Sequence, residues 1–228
     1  MWLSIARTGG RWRGGVTIAE NLAAVESRIN AACKRAGRKR SDVTLVAVSK
    51  TFGADRVNEA IAAGVTHIGE NRVQEARDKK PQVHGAARWH LVGHLQSNKA
   101  KDAVRIFDVI ETVDSVELAQ KIARASDAAR DVLLQVNVGD EPQKSGVSTA
   151  DVHNIVQQIR AIEGIQLIGL MAIPPIGDPR KHFRRLRELR DQAGLEQLSM
   201  GMSEDFEVAI EEGSTMVRIG RAIFGDRG

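Results

Sequence analysis

The strongest constraint on this chain is a rhythm. Eight short runs rich in Val, Ile and Leu, at 44–48, 66–69, 88–92, 109–111, 132–138, 166–170, 197–199 and 216–219, alternate with helically patterned stretches. The latter lie near 55–63, 73–80, 100–106, 115–125, 150–160, 179–192 and 203–211. Strands alternating with helices imply parallel pairing through right-handed crossovers. Eight such units favour closure into a (β/α)8 barrel, which ordinarily takes about 200–250 residues. The chain has 228. An open doubly wound sheet is the rival, but its Gly-x-Gly-x-x-Gly marker after the first strand is missing: that strand runs out as Val48-Ser49-Lys50-Thr51-Phe52.

Residues 16–36 read as one amphipathic helix ahead of the barrel. Ile18, Leu22, Val25 and Ile29 share a face, and Gly37 ends it. The expected organisation is one barrel domain over 16–228, preceded by a disordered extension over 1–15 that carries Arg7, Arg11 and Arg13 and no acid. That extension holds three of the four net positive charges, so the remainder is nearly neutral and gives no footprint for nucleic acid. The basic run from Lys34 to Arg40 reads as a helix terminus. A single cysteine, Cys33, excludes an internal disulfide, and no apolar run approaches the roughly 20 residues of a membrane span. A cytoplasmic protein, a monomer or weak dimer, is expected.

Barrel sites form at the C-terminal ends of strands. The first strand delivers Lys50, the second Glu70 and Asn71, and the third His94 and Gln96. The fifth and sixth deliver Asn137 and Met171. The last two deliver Ser199-Met200-Gly201-Met202-Ser203 and Arg218-Ile219-Gly220-Arg221. Lys50 leaves a buried strand, and partial desolvation favours the neutral, nucleophilic amine that Schiff-base chemistry needs. A lysine snorkelling from the barrel mouth is the alternative. The loops after the last two strands commonly bind phosphate. Here they offer Gly201 and Ser203 before a helix, and Gly220 with Arg221 beside it. Ordinary helix starts, with Ser203 as an N-cap, would read the same way. An amine and an anion site together point to a phosphorylated carbonyl ligand. No metal site is expected. His90 and His94 flank a strand end without a third ligand, and Cys33 lies away from the strand ends.

Five stretches then carry a resemblance. They are Leu45-Val46-Ala47-Val48-Ser49-Lys50, Gly69-Glu70-Asn71-Arg72-Val73-Gln74-Glu75, the run from Trp89 to Lys99, Ser199-Met200-Gly201-Met202-Ser203-Glu204-Asp205-Phe206, and Val217-Arg218-Ile219-Gly220. From about residue 16 onward the chain resembles the pyridoxal phosphate homeostasis proteins. The resemblance implies a fold-type III barrel like the N-terminal domain of alanine racemases, with pyridoxal 5′-phosphate as cofactor on Lys50. It implies that Ser203, Gly220 and Arg221 hold the phosphate, that Arg218 faces the pyridine nitrogen, and that Asn71 lies beside the ring or behind it. Many relatives have Thr where this chain has Arg221, so a hydroxyl contact there is lost.

An arginine against the pyridine nitrogen disfavours its protonation and makes the ring a poorer electron sink. A racemase also needs a second base. In alanine racemases it is a tyrosine, and this chain has none, although His94 could substitute in principle. The expectation is therefore a non-catalytic protein of intracellular pyridoxal phosphate homeostasis, meeting apo-enzymes transiently if at all. The alternatives are a small amino-acid racemase, or a cofactor-free Schiff-base aldolase.

Overall fold

The computed structural model describes residues 17–141 and 144–225. The extension expected over 1–15 lies outside them. Helix α1 (Ile18–Arg35) opens at Thr17, whose hydroxyl accepts from the Glu20 N–H while Glu20 accepts from the Thr17 N–H. This reciprocal box satisfies two donors that a helix start leaves free. The helix ends at Gly37, whose φ of 65° suits a residue without a Cβ.

The alternation then follows as β1 (Thr44–Val48), α2 (Ala54–Ala62), β2 (His67–Glu70), α3 (Val73–Lys79), β3 (Arg88–Leu91), α4 (Ala100–Ile106), β4 (Val109–Val113) and α5 (Val116–Ala125). It continues as β5 (Arg130–Asn137), β6 (Val147–Ser148), α6 (Val152–Arg160), β7 (Ile165–Met171), α7 (Arg180–Gln192), β8 (Gln197–Ser199), α8 (Phe206–Glu211), β9 (Met216–Ile219) and α9 (Arg221–Phe224). All pairings are parallel. The order β4-β3-β2-β1-β9-β8-β7-β5 closes through β4–β5 into an eight-stranded barrel, and β6 pairs only with the far end of β5. The closed ring and the leading helix are those expected.

Two local bounds need correction, and two short elements were not expected. The helix placed at 203–211 begins only at Phe206, because Asp205 turns back to accept the Met202 N–H at 2.6 Å. The two-residue β6 and the one-turn α9 carry too little periodicity to show in sequence. The second strand starts at His67 rather than at 66.

Side chains alternate along a strand. Val46, Val48 and Val92 pack together inside the ring, as do Val109, Leu133 and Met171. Leu45, Ala47, Ile68, Leu91 and Ile110 face outward into the layer between strands and helices, with Phe183 and Phe206. Lys50 has the inward parity of Val46 and Val48. Arg218 and Gly220 share theirs on β9 and just beyond.

Candidate functional site

A cavity of about 430 Å³ opens at the C-terminal ends of β1, β2, β8 and β9. Lys50, Asn71, Ser203, Arg218, Gly220 and Arg221 all line it, with apolar walls from Val48, Phe52, Val92 and Ile173. Its size lies within the roughly 300–1,000 Å³ of small-molecule sites. These six of the strand-end candidates thus share one place.

Lys50 is half-buried, and its backbone is fixed from the outer side of the barrel. The buried Lys79 ammonium donates to the Ser49 carbonyl at 2.9 Å and also to Glu70. The Ser49 hydroxyl donates to Glu70 Oε1 at 2.6 Å. Thr51 then takes a positive φ of 70°, and its N–H donates to Glu75 at 3.3 Å. Burial pushes the Glu70 carboxyl up; the hydrogen bonds from Lys79 and Ser49 oppose that. Glu70 therefore faces the helix layer, not the cavity.

Gly220 closes the floor. A Cβ there would stand 2.9 Å from the Val48 carbonyl oxygen, so only glycine lets β9 leave the barrel this close to β1. Arg221 follows, and its guanidinium pairs with Glu204 at 2.7 Å on the rim. Asp205 lines the cavity as well, held by the Met202 N–H. Its burial raises its pKa, and the Met202 hydrogen bond and the Arg218 charge pull the other way.

Arg218 reaches the cavity from inside the barrel. It is 4 % exposed. Its Nη1 donates to Ser199 Oγ at 2.6 Å and its Nη2 to the Ala172 carbonyl at 2.9 Å. The buried Glu111 carboxylate stands 3.9 Å away and accepts from the Ser199 hydroxyl at 2.6 Å. Burial pulls the guanidinium below the usual arginine range, and Glu111 opposes that.

Other strand-end candidates fall elsewhere. His94 is exposed and stands 3.6 Å from Asp114. The Asn137 amide donates to the Glu141 carbonyl at 2.8 Å, and Met171 packs inside the ring. Among the described residues, no cluster of His, Cys, Asp and Glu could hold a metal. Sequence reading missed Glu111 and Lys79. An acid amid the apolar run Val109-Ile110-Glu111-Thr112-Val113 was the available signal for the first. Nothing marked Lys79 on an otherwise polar helix.

The site amounts to an amine, a hydroxyl and two guanidinium groups around a small cavity, suited to an anionic electrophile. Comparison agrees with that chemistry. The family model "Alanine racemase, N-terminal domain" matches residues 21–228. A pyridoxal phosphate homeostasis protein of Pseudomonas aeruginosa is 43 % identical over 221 residues, covering 92 % of this chain and 96 % of its own. The structure of PipY from Synechococcus elongatus with PLP bound superposes with a TM-score of 0.80 at 37 % identity, covering 92 % of this chain and all of the other. A protein from Bifidobacterium adolescentis, described as unknown, superposes at 0.86 with 40 % identity, covering 90 % of this chain and 94 % of its own. By sequence and fold, the chain belongs to the family of pyridoxal phosphate homeostasis proteins, built on the barrel of the alanine racemase N-terminal domain.

Proposed function

We propose that this protein binds pyridoxal 5′-phosphate reversibly and holds it for intracellular homeostasis, without a catalytic cycle of its own. The observation that carries the reading is the convergence of Lys50, Ser203, Gly220 and Arg221 on one cavity of suitable size. The cofactor supplies an aldehyde, a phosphate and a ring nitrogen. Lys50 offers the amine that condenses with the aldehyde. Ser203, the backbone at Gly220 and Arg221 bind the phosphate, with Arg221 exchanging Glu204 for it. Arg218 faces the ring nitrogen and, being cationic, keeps a proton off it. Asn71 borders the ring. The fit rests on the lining itself, where an amine, a hydroxyl and two guanidinium groups surround a cavity of cofactor size.

A racemase would need a second proton carrier across the cavity. The chain has no tyrosine, and His94 lies outside the residues lining the pocket. Both observations favour storage over turnover. The barrel domain, from about residue 16 on, acts in the cytoplasm as a monomer or weak dimer, and any partner is an apo-enzyme met transiently.

The test is an absorbance spectrum of the purified, cofactor-loaded protein before and after borohydride. A visible band that reduction abolishes, and that Lys50→Ala lacks, is expected. Full visible absorbance in Lys50→Ala would sink the assignment. Amino-acid turnover far above that of the free cofactor would sink the non-catalytic part.

A further inference from the structure

Behind the pocket, a continuous line of polar side chains crosses the barrel interior. His67 Nδ1 lies 2.9 Å from His90 Nε2, and His90 Nδ1 lies 2.7 Å from Glu111 Oε1. Glu111 Oε2 accepts from Ser199, and Ser199 Oγ accepts from Arg218. His90, Glu111, Ser199 and Arg218 are all buried. The apolar clusters around Val46 and Val109 flank them.

The directions of these bonds follow from one requirement. An ionised carboxylate only accepts, so His90 must donate from Nδ1. With His90 as the uncharged tautomer, its Nε2 accepts and His67 donates from Nδ1. From the other side, Arg218 donates to Ser199 and Ser199 donates to Glu111. Every proton in the line points toward Glu111. Burial would raise the Glu111 carboxyl, but the hydrogen bonds from His90 and Ser199, with the charge of Arg218, bring it below the usual range.

A charge this deep is costly unless paired, and a pair needs its remaining acceptors filled. Around Glu111 the facing groups are His90 from β3, Ser199 from β8 and Arg218 from β9. Around Arg218 they are Glu111 and Ser199, the Ala172 carbonyl, and Asp205 ahead of α8. Ser199 and the Ala172 carbonyl grip Nη1 and Nη2, which fixes the guanidinium plane. Glu111 is the countercharge behind that grip.

We propose that Glu111, acting through Ser199, is the positioning residue that fixes the orientation and charge Arg218 presents to the pocket, with His90 and His67 holding Glu111 from behind. The inference rests on the reading of the pocket as a pyridoxal phosphate site. It adds that the electrostatics of that site are set from the barrel interior directly behind the pocket, by residues outside its lining.

The experiment is a pH titration of the visible band of protein-bound pyridoxal phosphate in the wild type, Glu111→Gln, Ser199→Ala and Ser199→Thr. Glu111→Gln leaves Arg218 uncompensated. A more positive pocket gives up a ligand proton at lower pH, so the midpoint should fall by about half a unit to one unit. Ser199→Ala keeps both charges but frees the guanidinium, and should displace the band maximum. Ser199→Thr retains the hydroxyl and should restore it. A purely structural role would lower thermal stability in all three and leave the spectra alone. Wild-type midpoints and maxima in Glu111→Gln and Ser199→Ala would overturn the proposal. If Glu111→Gln does not fold, the Ser199 pair decides. A wild type without a bound band would instead overturn the reading of the pocket, and the inference with it.

Discussion

Arg221 and Glu204 meet at 2.7 Å across the rim of the pocket, both largely exposed. A phosphate entering there competes with Glu204 for the same guanidinium, so the carboxylate acts as an internal rival of the ligand. An exposed ion pair is worth about 0–1 kcal/mol, which bounds the effect at roughly fivefold. Glu204→Gln should therefore hold pyridoxal phosphate up to a few-fold more tightly in equilibrium dialysis at low salt. The advantage should shrink as salt rises, because exposed charges are screened. Weaker binding in Glu204→Gln, or a gain that salt leaves unchanged, would mean that Glu204 does not compete with the phosphate for Arg221.

Ser203 lies on the same wall, in the turn ahead of α8 rather than at its cap. Its hydroxyl is thus left for the ligand. Removing one hydrogen bond to a charged group costs about 1.5–3 kcal/mol. Ser203→Ala should weaken retention by roughly tenfold or more in the same dialysis, with unfolding unchanged. An unaltered dissociation constant would remove Ser203 from the site.

The Lys79–Glu70 pair makes a prediction about stability. Both residues are buried, and Lys79 also holds the Ser49 carbonyl beside Lys50. Removing one partner of a buried pair leaves a bare charge and costs about 3–5 kcal/mol. Lys79→Met should lose that much in urea denaturation, and adding Glu70→Gln should recover most of it. If the double variant is no more stable than Lys79→Met, the two residues are not acting as a charge pair.

The barrel was legible because eight buried parallel strands leave eight apolar runs, and the strand-end rule then located Lys50, Asn71, Arg218 and Gly220 within the cavity. What escaped was side-chain hydrogen bonding between distant strands. Glu111 and Ser199 are 88 positions apart and become partners only when the ring closes. Lys79 looks like any solvated helix lysine until α3 lays it over the end of β1. Asp205 reads as a first-turn acid, yet it turns back on Met202 and delays the helix. Periodicity encodes which face a residue takes; it does not encode which polar group it meets there.

His67, half-buried at the far end of the polar line, gives the last test. Desolvation first, then the neighbouring His90 and Arg88, depress its pKa from an ordinary 6.5 to about 4. The fold thus favours the neutral imidazole. Its stabilising contribution is complete above pH 6.5 and is lost as the pH falls toward 4. The shift would set a ceiling near 3 kcal/mol, and partial exposure reduces this to about 1–2 kcal/mol. His67→Gln can keep the donor toward His90 Nε2 but cannot titrate. Denaturation of both proteins between pH 7.5 and pH 4 should show the wild type losing that much more stability than the variant. Parallel curves would mean that His67 takes up its proton without opposition from the barrel, and that the line of bonds to Glu111 does not extend that far.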